Sequence, residues 1–200
     1  WLRRRWFLEV ARYILRGRRG GRRIDQDEPV GYRAAMIGIL VGVGILGVMW
    51  TTAGMSWWVF ALYFAIYFPM VIGIARSRAE IGPPVHTLIY VDPGRPLVAG
   101  MGTHPFGPRN LSLMTLLYPL NRCYRANPMP SQLEALRIAE RAGVRPRSMI
   151  IGMTLATVVG SFLTFWIYLH VLYDLGADNR ARGWIVHMGF ETFNRLQSWL

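Results

Sequence analysis

The chain has 200 residues, a net charge of +12 and 52% hydrophobic residues. Every basic residue is Arg, and the single Cys123 excludes an intrachain disulfide and leaves no Cys/His set for zinc. The basic charge alternates with long apolar runs, so it is accounted for without nucleic acid as a partner.

Ten Arg lie in residues 1–33 and ten more in 76–148, whereas only Arg180, Arg182 and Arg195 follow the last apolar run. This alternation is the positive-inside pattern of a membrane protein. It predicts that 1–33 and 76–147 are cytoplasmic and that 51–56 and 174–183 are outside. The chain begins at Trp1 without an initiator Met and stops in an aromatic-rich stretch. It reads as a piece of a longer polytopic protein, with the missing transmembrane helices as partners. No signal-peptide pattern opens it.

Residues 1–16 have an amphipathic helical pattern, with Leu2, Trp6, Val10, Tyr13 and Ile14 recurring between Arg3, Arg4, Arg5, Arg12 and Arg16. Such a helix lies on a membrane surface or forms the cytoplasmic end of an earlier membrane helix. A basic glycine-rich linker, 17–23, and an acidic turn, 25–29, complete this first region, 1–33.

The run 34–75 holds 42 residues without Asp, Glu, Lys, Arg or His. At about 1.5 Å per residue it is roughly 63 Å of helix. That is two crossings of a lipid core about 30 Å thick. The spacing predicts a transmembrane hairpin, with helices at about 33–53 and 56–75 and a turn at Thr51–Ser56. Ala34, Gly38 and Gly42 form a small-residue ridge on the first helix, suited to close helix packing. Pro69, with Gly73 one turn on, predicts a kink or a break in the second.

Residues 76–147 form a cytoplasmic and re-entrant region. Arg76 and Glu80 stand four apart and can pair on one helical turn. They are either a surface anchor or a charged gate at a cavity mouth. Residues 85–130 are rich in Pro yet apolar, and neither 97–101 nor 111–120 is long enough to span alone. A re-entrant segment over 97–120 fits, because irregular backbone at membrane depth needs protein or water against it. Ser131 and Glu134 form an S-x-x-E capping box, predicting a short helix over 131–142.

A third membrane helix is predicted over 148–173, where Gly152, Ala156, Gly160 and Thr164 repeat the small-residue ridge. His170 falls near its outer end, one turn from Asp174, as a hydrated interfacial residue. Residues 174–200 read as an outer loop and an interfacial helix. The fold class is therefore all-α: a polytopic transmembrane helical bundle with three spanning helices, a re-entrant segment and short interfacial helices.

Catalytic motifs are absent: there is no H-E-x-x-H, G-x-S-x-G, P-loop or dinucleotide fingerprint. No enzyme, metal or cofactor is expected on these residues. The stretches Arg76–Gly82, Phe106–Leu111, Asn121-Arg122 with Tyr124-Arg125, and Pro128–Ala135 resemble a family of uncharacterised bacterial multi-pass membrane proteins distantly related to oligopeptide transporters. The resemblance spans about 30–200. It implies a multi-pass protein of the bacterial inner membrane and, as an expectation, solute transport. It carries no ligand residues with it.

The expected function is part of a secondary-transporter-like protein for a small polar or anionic solute, peptide-like solutes included. The candidate ligand-binding residues are Arg76, Arg78, Glu80, Arg109 and Asn110, whose guanidinium groups suit a carboxylate or phosphate. The alternative is a non-transporting membrane scaffold or assembly subunit that buries Arg109 against Glu80 or Glu134. A membrane enzyme whose catalytic part lies elsewhere is a third reading. The lipid bilayer is the one partner common to all.

Overall fold

The computed structural model describes residues 8–10, 12–13, 30–82, 92–121, 124, 127–176 and 183–200. The amphipathic pattern at 1–16 and the linker after it fall almost wholly outside those residues, as does most of the expected outer loop at 174–183. All regular elements among the described residues are helices: α1 (Tyr32–Thr52), α2 (Trp57–Ile81), α3 (Gly94–Met101), α4 (Gly107–Asn121), α5 (Pro128–Arg141), α6 (Pro146–Leu175) and α7 (Gly183–Trp199). Three of them, α1, α2 and α6, are long and apolar enough to cross a membrane.

These three long helices differ in what they touch. No residue of α1 is buried, and the apolar stretch of α6 is likewise uncovered, whereas one third of that of α2 is buried. A helix that is apolar all round and uncovered by protein belongs in lipid. α2 is the hub. Its buried residues Val59, Tyr63, Phe64, Val71, Ile74 and Ala75 lie along one stripe. Pro69 sits inside α2 without breaking it, and the helix runs six residues past the expected end at 75. Arg76 and Glu80 extend the last turns with the predicted pair, Nε to Oε1 at 2.7 Å. Gly82, in the left-handed region, then stops the helix and donates its N–H to the Arg78 carbonyl.

From α4 onward the chain tracks α2 from its first turn to its last. Asn110 meets Ser56, Asn121 meets Tyr63, the Tyr124 ring stacks on Tyr67, and Glu134 meets Arg78. α3 packs on α4, and the two are joined by a turn at 102–106. α3–α4 is thus a helical hairpin whose tip lies beside the α1–α2 turn. Its core pools Met55, Val59, Tyr63 and Phe64 with Leu97, Phe106, Leu111, Met114 and Leu117, and the Phe106 ring stacks on Trp58 at 5.5 Å. Neither arm is long: 8 and 15 residues give roughly 12 and 22 Å.

Two local boundaries differ from the sequence expectation. α5 begins at Pro128 rather than 131, because Asn127 caps it, accepting from the Met129 N–H at 3.2 Å. Pro128 and Pro130 are harmless there, since the first turn has no intrahelical acceptors for its N–H groups. Glu134 is therefore not a capping-box partner; it is drawn to Arg78 instead. α7 packs against α4, and Leu196 and Trp199 join the core. It is a packed element of the bundle. α6 packs against α5.

Candidate functional site

The five residues singled out by sequence fall into two groups at opposite ends of α2. Arg76, Arg78 and Glu80 are at its C-terminal end, and Arg109 and Asn110 lie at its N-terminal end. The 22 residues between Ser56 and Arg78 are roughly 33 Å of helix. The structure does not bring the two groups together. Arg76 and Glu80 pair on the surface. Arg78 makes a forked contact with Glu134, Nε to Oε1 at 2.5 Å and Nη2 to Oε2 at 3.0 Å, which ties α5 to α2.

At the other end, Asn110 is buried and spent on structure. Its Oδ1 accepts from the Ser56 N–H at 2.8 Å, and its Nδ2 donates to Ser56 Oγ at 3.1 Å and to the Phe106 carbonyl at 2.7 Å. It joins the tip of the α3–α4 hairpin to the first turn of α2. Exposed Arg109 lies across the backbone of Gly54, which has φ +108. A Cβ at Gly54 would fall inside its guanidinium. Arg109 rests against neither Glu80 nor Glu134. His170 pairs with Asp174 at 3.2 Å, and both are well exposed.

A third polar cluster was not singled out by the sequence. It lies where α3 begins and where α4 meets α7. Asp92 and Arg195 form an ion pair, Oδ2 to Nη1 at 2.6 Å, with side chains only 2% and 8% exposed. Asp92 Oδ1 accepts from the Gly94 N–H at 2.8 Å. The Arg195 guanidinium lies 3.5 Å from the centre of the Tyr118 ring, and the Tyr118 hydroxyl donates to Glu191 Oε1 at 2.8 Å. Arg95 stands 3.9 Å from Asp92 Oδ2.

Around this pair the chain supplies further polar contacts. Asn121 Nδ2 donates to the Tyr63 hydroxyl at 2.5 Å and to the Leu117 carbonyl at 3.1 Å. Burial, helped by Tyr67 and Asp92, lifts the Tyr124 hydroxyl above the ordinary phenol range, so it stays protonated. Among the described residues, Arg195 Nη2 and the Tyr124 hydroxyl are buried without a hydrogen-bond partner. An open cleft of about 410 Å³ adjoins the ion pair, lined by Arg95, Glu191, Asn194, Arg195, Ser198 and Trp199. Among the described residues no group of three His, Cys, Asp or Glu is arranged to hold a metal.

Residues 1–200 match a family of unknown function, DUF6785. The chain belongs to this family. No curated protein and no solved structure matches it. For DUF6785 the site must therefore be read from its own geometry. One sequence signal pointed to the cluster. Asp92 is the lone acid between Glu80 and Glu134, and Arg195 the lone Arg in an aromatic helix. Isolated charges among apolar residues need partners.

Proposed function

We propose that this protein is a transport-type membrane protein that takes a small polar or anionic solute into the cleft between the α3–α4 hairpin and α7. The observation that carries this reading is a helical hairpin too short to span, laid along a membrane-length helix, with a buried ion pair and an open cleft at its base. Non-spanning backbone at membrane depth is tolerated only against protein or a polar cavity, and interrupted helices of this kind build solute sites in transporters. The resemblance to relatives of oligopeptide transporters runs in the same direction. On this reading the ends of α2 have unequal roles. The Arg-rich end, with Arg76, Arg78 and Glu80, is the cytoplasmic anchor in the bacterial inner membrane. Arg109 and Asn110 hold the hairpin tip at the outer end.

The test is sided labelling of single cysteines, with Cys123 replaced, in sealed vesicles using an impermeant maleimide. Probes at Ala53, Thr103 and Ser77 define the two faces, and a probe at Asn194 reports the cleft. Thr103 should label from the same side as Ala53 and opposite to Ser77, and labelling at Asn194 should slow in the presence of a transported solute. Labelling of Thr103 from the Ser77 side overturns the placement of the hairpin tip at the outer end. A second reading, a membrane scaffold, is favoured by the small residues Gly38, Gly42, Gly152 and Gly160, where added side-chain carbons would meet nothing within 4 Å. A scaffold gives no solute-dependent change at Asn194.

A further inference from the structure

The cleft beside Asp92 and Arg195 has an uneven supply of donors and acceptors, and this imbalance specifies a ligand. Both of its acids are engaged. Asp92 is held by Arg195 and the Gly94 N–H, and Glu191 accepts from Tyr118. Both of its bases have donors to spare. Arg95 is half exposed, and its one ion-pair contact among the described residues, at 3.9 Å, is too long for a hydrogen bond. Arg195 is nine-tenths buried, lines the cleft, and keeps Nη2 without a partner among the described residues. That Nη2 is itself enclosed, so what Arg195 brings to this wall is its positive charge beside the exposed Arg95, and together they favour an anion there.

We propose that the cleft binds a small monocarboxylate with a short apolar body. This rests on the reading of the cleft as a solute site. The carboxylate bridges the exposed fork of Arg95 and the edge of Arg195, the geometry for which planar guanidinium groups are suited. Asn194 and Ser198 line the same cleft and supply neutral polar contacts, and the Trp199 ring forms an apolar wall. Glu191, also in the lining, opposes a second negative charge, so a dianion is disfavoured. Since both acids already have donors, nothing in the cleft calls for an ammonium group. The volume of about 410 Å³ lies at the small end of ligand pockets.

The experiment measures binding to the protein in lipid nanodiscs by Trp fluorescence and by thermal stabilisation. The probes are butanoate, hexanoate, benzoate, succinate, butylamine and inorganic phosphate. At least one monocarboxylate should bind saturably, in preference to succinate, phosphate and butylamine. Arg95→Gln, a half-exposed change that leaves the Asp92–Arg195 pair in place, should weaken that binding about tenfold or more, the loss of a charge-assisted bond. Glu191→Gln should narrow the gap between butanoate and succinate. Equal binding of butylamine, a preference for phosphate or succinate, or indifference to Arg95→Gln overturns the proposal, as does failure of all three monocarboxylates to bind. Monocarboxylate binding without movement into sealed vesicles would sink the transport reading and leave this one standing. Solute movement with the wrong charge preference would do the reverse.

Discussion

Asp92→Asn is the most informative single change in this protein. It removes the charge that neutralises Arg195, with both side chains buried. Breaking a buried pair from one side costs about 3–5 kcal/mol, because the remaining charge has no solvent. The reverse change, Arg195→Met, should cost less. Asp92 then keeps the Gly94 N–H at 2.8 Å, and Arg95, already 3.9 Å away, can close on it. For a chain of this size about 2–4 °C is lost per kcal/mol, so Asp92→Asn should lower the melting temperature by roughly 6–20 °C. The assay is thermal unfolding of purified protein in one detergent, read by Trp fluorescence, on Asp92→Asn, Arg195→Met, Arg95→Gln and the double change Arg195→Met with Arg95→Gln. The double change should cost more than its two parts together, since it strips Asp92 of both cations. If Asp92→Asn melts with the parent protein, or the double change is simply additive, the pair is not the buried coupled unit described above.

Asn110→Ala should destabilise by about 1–3 kcal/mol, since it strands the Ser56 N–H and the Phe106 carbonyl; Ser56→Ala should be milder because it keeps the Asn110 bond to its backbone, a ranking read by the same melts. Gly54→Ala should cost about 1–2 kcal/mol through its positive φ, and adding Arg109→Ala should restore only the part due to the clash with the guanidinium. Glu134→Arg should free α5 from α2 and speed limited proteolysis near 141–146, and combining it with Arg78→Glu should restore protection. If the paired swap leaves cleavage as fast as the single change, the forked contact does not hold α5.

What was legible in the sequence follows from what leaves a periodic trace. Uncharged runs at 34–75 and 148–173 mark helices directly, because length and apolarity are local properties. The Arg76–Glu80 pair is legible for the same reason. The end of α2 was read six residues early, because the charges at 76–80 resemble an exit from the apolar run, while a paired charged turn continues a helix as readily as it ends one. The start of α5 was misread because S-x-x-E is a local pattern, and Glu134 found a better partner on α2. Asn110 was singled out as a candidate ligand residue, and the structure spends its side chain on Ser56 and the Phe106 carbonyl. The Asp92–Arg195 pair left only two isolated charges and no periodic pattern, since its partners are 103 residues apart and only tertiary packing joins them.

That separation has a consequence for how the protein is made. Asp92 emerges from the ribosome about a hundred residues before Arg195, so in that interval Arg95, three residues on, is the cation at hand for its carboxylate. An unpaired, ionised carboxylate is costly in lipid during that interval. Until α7 arrives, the α3–α4 hairpin is favoured at a watery surface, with Asp92 leaning on Arg95. α2 can insert early on its own apolarity, with its Val59–Tyr63–Phe64 stripe open to lipid as a vacant berth. Leu196 and Trp199 join the core when α7 docks. Docking of α7 on α4 is thus coupled to charge pairing at Asp92.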